Sequence, residues 1–186
     1  MIHINYHNIT HYDQNNGDGL RVVLWLSGCS HYCYNCQNPQ TWDPNSGVPY
    51  DEVAENEIFE ELSKDYISGI TLTGGDPLHE NNLDEVLHLV KQIRSLYPEK
   101  TIWLYTGYMW EYIVNDSVGH DENGLFFFLE EDKKRFQIIS NVDVLVDGEY
   151  IEEQRDITLP WRGSKNQRVI DVKQSFAQNK IVLYCD

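Results

Sequence analysis

Cys29, Cys33 and Cys36 fall within eight residues, in the CxxxCxxC run Cys29-Ser30-His31-Tyr32-Cys33-Tyr34-Asn35-Cys36. Thiolates are soft donors, so three of them on one short loop suit zinc or an iron–sulfur cluster. Three thiolates around a four-iron cube leave one iron without a protein ligand. That iron is open to substrate, much as the fourth position of a catalytic zinc is. The competing chemistry is a zinc knuckle completed by His31 or by Cys185, the fourth cysteine. Structural zinc sites usually draw their ligands from two nearby pairs, and the chain has no second pair. Clustered thiols in a reducing compartment point to metal or redox chemistry rather than to a disulfide framework.

Other residues are compatible with chemistry and with plainer roles. Gly74-Gly75-Asp76-Pro77 would let a ligand approach the backbone closely, and would equally form a turn before a helix. Asp147 follows an apolar run and is either a site residue or the first half of an Asp-Gly turn. Arg162 reads as a surface ion pair or as a contact to a cofactor or partner. His3, His7, His11, His31, His79, His88 and His120 are scattered, and none is assigned to catalysis. Trp42, Trp103, Trp110 and Trp161 read as core or interface.

These residues need a frame. Leu20–Leu26 reads as a buried strand running straight into the cysteine loop. Val53–Tyr66 fits a helix. Gly69–Thr73 is a second strand, ending at Gly74-Gly75-Asp76. Leu83, Val86, Leu87, Val90, Ile93 and Tyr97 form a helical stripe, with Asn81 or Asn82 as cap and Pro98 as stop. Thr101–Tyr105 is a third strand, Val142–Val146 a fourth that ends at Asp147, and Lys180–Tyr184 a fifth. Strands alternating with helices predict an α/β fold with a mostly parallel sheet. The chain is too short for a complete eight-unit barrel, so a partial open (β/α) barrel is expected, as a single domain over residues 1–186. In such folds the site lies at the carboxyl ends of the strands, where all the candidate residues fall. Ser117–Phe136 is the least regular stretch and reads as a surface insertion whose Phe126–Phe128 run packs on the core or on a partner.

The formal charge is −16, from 14 basic and 30 acidic side chains. A surface of this sign repels phosphate backbones, which argues against nonspecific nucleic-acid binding. No apolar run approaches the ~18 residues of a membrane span, and Met1-Ile2-His3-Ile4-Asn5 lacks the features of a secretion signal. A cytoplasmic protein is expected.

The cysteine spacing resembles that of the radical S-adenosylmethionine superfamily. Within it, Asn16-Gly17-Asp18-Gly19-Leu20-Arg21, Leu26-Ser27-Gly28-Cys29, Cys36-Gln37-Asn38 and Thr41-Trp42 are similar to the activating proteins of glycyl-radical enzymes, most of all those of anaerobic ribonucleoside-triphosphate reductases. Thr73–Pro77, Leu104–Tyr108, Asp143–Gly148, Arg162-Gly163-Ser164 and Asn166–Asp171 extend the likeness from about Ile4 to Val172. Asp18 departs from a common proline, and Asn35 stands before the third cysteine where many members carry an aromatic.

The resemblance implies a 4Fe-4S cluster on Cys29, Cys33 and Cys36. It implies S-adenosylmethionine bound by Asn35, Cys36, Gln37, Gly74, Gly75, Asp76 and Asp147, with the Gly74-Gly75 backbone holding the amino group. Cluster-bound S-adenosylmethionine would carry the chemistry, with no protein catalytic residue. The implied partners are the large subunit of the reductase, which would receive a glycyl radical, and a low-potential electron donor such as flavodoxin. Another small radical enzyme (a different activase or a deazapurine synthase) and a non-catalytic zinc-binding module are the alternatives. Cys185 alone lies outside the cysteine loop, which limits the chain to one cluster.

Overall fold

The computed structural model describes residues 4–115, 118–120 and 126–185. Its elements in chain order are β1 (Asn5–Asp13), β2 (Arg21–Leu26), β3 (Val48–Pro49), α1 (Glu52–Leu62), β4 (Gly69–Gly74), α2 (Leu83–Leu96), β5 (Thr101–Tyr105), α3 (Trp110–Asn115), β6 (Val118–His120), β7 (Phe126–Phe128), α4 (Glu130–Ile139), β8 (Val144–Asp147), β9 (Arg168–Asp171), α5 (Val172–Gln178) and β10 (Leu183–Cys185). Eight strands form one sheet in the order β10-β9-β8-β5-β4-β2-β1-β3. The central four, β2, β4, β5 and β8, are parallel neighbours in chain order. The flanking strands β1, β3, β9 and β10 pair antiparallel. The fold is therefore mixed α/β with a mostly parallel central sheet.

Strand side chains alternate between faces, and the two faces of this sheet differ in kind. Val22, Leu24 and Leu26, Ile70 and Leu72, Ile102 and Leu104, and Leu145 point to one side. There they join Ala54, Ile58 and Leu62 of α1, Val86, Val90 and Ile93 of α2, Ile113 of α3, and Ile138 and Ile139 of α4 in one apolar core. All four crossover helices thus share a face. The opposite face carries Arg21, Trp25, Thr71, Thr73, Trp103 and Tyr105. Trp103 there packs with Val144, Val146 and Val169, and Trp161 lies over it at 5.1 Å between ring centroids.

Several expectations need revision. β1 is a nine-residue strand the sequence does not announce, because Asn5–Asp13 is largely polar and only Ile9 is buried. β9, four residues long, pairs antiparallel beside β8, and the last strand is displaced to Leu183–Cys185. The supposed insertion Ser117–Phe136 runs into a core element: α4 buries Ile138 and Ile139 and packs against α2. Ser117 and the packing of the phenylalanine run lie outside the described residues. Among the described residues no helix is long and apolar enough to cross a membrane.

Candidate active site

β2 delivers the chain to the cysteine loop through Ser27-Gly28. Gly28 sits at φ +94°, a conformation glycine tolerates best, and its N–H donates to Thr41 O at 2.7 Å. Cys29 N–H donates to Trp42 O at 3.0 Å, so the segment after the third cysteine folds back and fixes the first. Within the loop, Tyr32 and Asn35 adopt left-handed conformations, at φ 50° and 54°. Such residues turn the chain sharply and bring Cys29, Cys33 and Cys36 round to one wall of a cleft of about 490 Å³. Burial pushes the Cys29 thiol up to about 12, with a smaller contribution from the charge of Asp76, and burial raises Cys33 as well.

β4 supplies the adjoining wall. Gly75 N–H donates to Leu26 O and Asp76 N–H to Gly28 O, both at 2.7 Å, so the two strand-end loops are stitched along their backbones. A Cβ on Gly75 would lie 2.5 Å from Gly28 O, and one on Gly74 would meet the Trp25–Leu26 backbone at 2.7 Å. The glycine pair is therefore demanded by the crossing of these loops, whether or not a ligand also approaches there.

Asp76 is the hub of the site. It is buried, and its Oδ1 accepts from Leu78 N–H. Its Oδ2 takes Thr106 Oγ1 at 2.9 Å and Gly107 N–H at 3.0 Å, and pairs with His31 Nε2 at 2.9 Å. The other ring nitrogen of His31 faces Glu149 Oε1 at 2.9 Å, and the ring packs edge-on to Tyr108. Burial acts to lower the His31 pKa, but the hydrogen bonds and charges of Asp76 and Glu149 outweigh it and raise it. One histidine inside the cysteine loop thus ties β2, β4, β5 and β8 together at their carboxyl ends. The sequence offers no sign of this, because its partners lie 45 and 118 residues away. Asn82 is a second unexpected staple. It occupies the cap position of α2 but makes no capping bond there; its side chain donates to Ser27 O and Asp76 O.

Of the residues singled out in the sequence, Cys29, Cys33, Cys36, Gln37, Gly74, Gly75, Asp76 and Arg162 line the cleft. Asn35 and Asp147 are not among its lining residues. Asp147 is fully buried and accepts from Trp110 N–H at 2.8 Å; it also pairs with Arg168, which reaches on to Glu111. Its carboxylate joins β8, β9 and α3.

The donor set suits an iron–sulfur cluster with one open iron. Cys29, Cys33 and Cys36 carry free, half-buried thiols. Both ring nitrogens of His31 are engaged by carboxylates, and Cys185 lies in β10, packed with the Trp103 group and not among the residues that line the cleft. Among the described residues no fourth ligand is at hand to close a tetrahedral zinc site. Among the described residues, no three His, Cys, Asp or Glu side chains gather closely enough for a single metal ion. A cube of iron and sulfide is wider than an ion and takes thiolates held apart.

The comparisons agree with this chemistry. A family model described as a 4Fe-4S single cluster domain matches residues 15–170. The anaerobic ribonucleoside-triphosphate reductase-activating protein of Escherichia coli (strain K12) is 38% identical over 168 residues, covering 89% of this chain and 97% of its own. The protein of the same name from Enterobacteria phage T4 is 39% identical over 166 residues, covering 89% and 93%. That of Vibrio cholerae serotype O1 is 39% identical over 166 residues, covering 88% and 96%. Among solved structures, QueE from Escherichia coli is similar over 79% of this chain and 72% of its own, at 11% identity and a TM-score of 0.42, too distant to bear on function. At this identity and coverage the chain belongs to the family of anaerobic ribonucleoside-triphosphate reductase-activating proteins, built on a 4Fe-4S single cluster domain.

Proposed function

We propose that this protein holds a 4Fe-4S cluster on Cys29, Cys33 and Cys36, binds S-adenosylmethionine beside it, and installs a glycyl radical in the large subunit of an anaerobic ribonucleoside-triphosphate reductase. The observation that carries the reading is the cleft itself, where three free thiols and the Gly74-Gly75 backbone face one space at the carboxyl ends of parallel strands. When bound, the cluster supplies the electron that cleaves S-adenosylmethionine and so permits hydrogen-atom abstraction from a glycine.

The chain's own residues position and protect. Asp76 and His31 hold the cysteine loop against β4 and β5, so the thiolates keep their spacing. The backbone at Gly74 and Gly75 presents polar groups to the amino group of the ligand. Gln37, beside the last thiolate, completes the cofactor side of the loop, and Asn35 turns the chain into that thiolate at φ 54°. Trp25, Tyr105, Leu159 and Trp161 on the remaining walls keep water from the reacting atoms. Asp147 acts through the frame, holding the start of α3.

The same reading makes the fold a single domain and a partial, open (β/α) barrel, with the helix-free face inside. Its support is that the four crossover helices share one face and that the parallel strands neighbour one another in chain order. It also places the protein in the cytoplasm, with a low-potential donor such as flavodoxin and no nucleic-acid partner. The acidic exterior supports the last point.

The test is electron paramagnetic resonance. The anaerobically reconstituted protein, reduced and mixed with S-adenosylmethionine and the cognate reductase, should give a glycyl-radical doublet in the reductase. Omitting cluster, reductant or S-adenosylmethionine should abolish it. Cleavage of S-adenosylmethionine with modification of a small molecule, and never a radical in the reductase, would transfer the protein to another branch of radical chemistry.

A further inference from the structure

We infer that Arg162 is the carboxylate-binding residue of the cleft, and that the carboxylate is the one at the amino-acid end of S-adenosylmethionine; this rests on the function proposed above. Arg162 lines the cleft, and its Nε is buried with no hydrogen-bond partner. The other arginines behave differently. Arg21, Arg94, Arg135 and Arg168 all donate to carboxylates, hydroxyls or backbone carbonyls, and Arg155 is exposed. In a chain with 30 acidic side chains, none is turned toward this guanidinium among the ion pairs of the described residues. The nearby acids are already engaged: Asp76 by four donors of the protein and Glu149 by His31.

The segment around Arg162 is built to hold it still. Trp161, immediately before it, sits in a left-handed conformation at φ 51°, one that a bulky residue keeps only when its surroundings compel it. Those surroundings are Trp103 at 5.1 Å and Tyr184 at 6.1 Å between ring centroids. On the other side, Gly163 and Ser164 N–H groups converge on Gln167 Oε1 at 3.0 and 3.2 Å. Gln167 in turn donates to Gly148 O at 3.0 Å. An arginine fixed before its partner arrives, half withdrawn from water and short of an acceptor, calls for an anion from outside the chain. S-adenosylmethionine offers one anionic group, its carboxylate; the sulfonium and amino groups are cationic and the nucleoside is neutral. A planar guanidinium matches a carboxylate in shape and charge.

The test separates the carboxylate from the rest of the ligand. Calorimetry on the anaerobically reconstituted protein would compare S-adenosylmethionine with decarboxylated S-adenosylmethionine. Arg162→Met should weaken S-adenosylmethionine about tenfold to a hundredfold and leave the decarboxylated form unchanged. Arg162→Lys, which keeps the charge but loses the fork, should fall between and serves as the decisive variant should the Met form not fold. Equal losses for both ligands would overturn the inference, since they report a collapsed cleft. Unchanged S-adenosylmethionine affinity would also overturn it; if the reductase then gains no radical, the anion belongs to the protein partner. Wild-type protein that binds no S-adenosylmethionine at all would remove the proposed function together with this inference.

Discussion

Arg21 and Arg162 stand at opposite ends of the same sheet and have opposite surroundings. Arg21, the first residue of β2, is fully buried, yet its guanidinium donates to Thr71 Oγ1, Asp18 O, Thr101 Oγ1, Ile70 O and Thr101 O. Burial lowers its pKa to about 10, still leaving it charged at neutral pH. Beside it, Arg94 and Lys100 close off carbonyls of the neighbouring loops, from Asn141 O to Ile67 O. At the carboxyl ends, Arg162 keeps an unmatched Nε, Trp42 Nε1 is likewise buried without a partner, and three thiols share a cleft. The cations at the amino ends find their partners within the chain and serve stability. At the carboxyl ends Arg162 and the three thiols are held rigid but left incomplete, as a binding site requires.

The largest effect expected from breaking this contrast lies in the loop. Replacing Cys29, Cys33 or Cys36 by Ala should abolish both the cluster, read as bound iron and sulfide, and the cleavage of S-adenosylmethionine. Cys185→Ala, outside the cleft, should keep both. Next comes the saturated end. Arg21→Met deprives the carbonyls of Asp18, Ile70 and Thr101 of this donor and should cost about 3–5 kcal/mol in urea unfolding. At temperatures where it stays folded, its affinity for S-adenosylmethionine should match the parent; a specific loss there would blur the division between the two ends.

The smallest expected effect depends on pH. Burial would raise the Asp143 carboxyl, but hydrogen bonds from Lys173, Arg94 and the Ile102 N–H outweigh it and hold it below the ordinary 3.8. A carboxyl depressed in the folded state stabilises above its unfolded pKa, and that contribution disappears as pH falls through the folded one. Asp143→Asn should therefore cost about 1–2 kcal/mol at neutral pH. The gap from the parent should narrow as pH drops below 3.8. A gap that stays constant with pH would show that the carboxylate contributes by shape alone.

What the sequence discloses follows from how local each signal is. The cysteine loop is local, so its spacing is readable directly. β2, β4 and β5 are readable because buried parallel strands are apolar on nearly every residue, as in Arg21–Leu26 with five of six residues buried. β1 escapes because its partly solvated face carries Asn8, His11 and Tyr12 in place of an apolar alternation. α4 escapes because Glu130–Arg135 is dominated by charge, and its apolar stripe begins only at Phe136. Roles set by distant partners are the least visible. Asn82 looks like a helix cap and is a staple, and nothing local in the sequence discloses that Asp147 pairs with Arg168. Gly75 looks like a concession to a ligand, yet the first atom it makes room for is Gly28 O.

The sheet has one further consequence, for how the chain survives outside its native contacts. Parallel strands joined by helical crossovers pair only after long stretches of chain have been brought together, so the central sheet is slow to complete and exposed while it does so. The finished sheet ends in β3, two residues long, on one side and β10, three residues long, on the other. The β10 edge presents few unpaired backbone groups to a second molecule, and Pro49 in β3 removes one donor outright, although β3 covers only Asn5 and Tyr6 of the nine-residue β1. With a net charge of −16 on every copy, the native form is poorly suited to strand-by-strand association. The aggregation hazard of this protein therefore lies in the interval before β3 and β10 have docked.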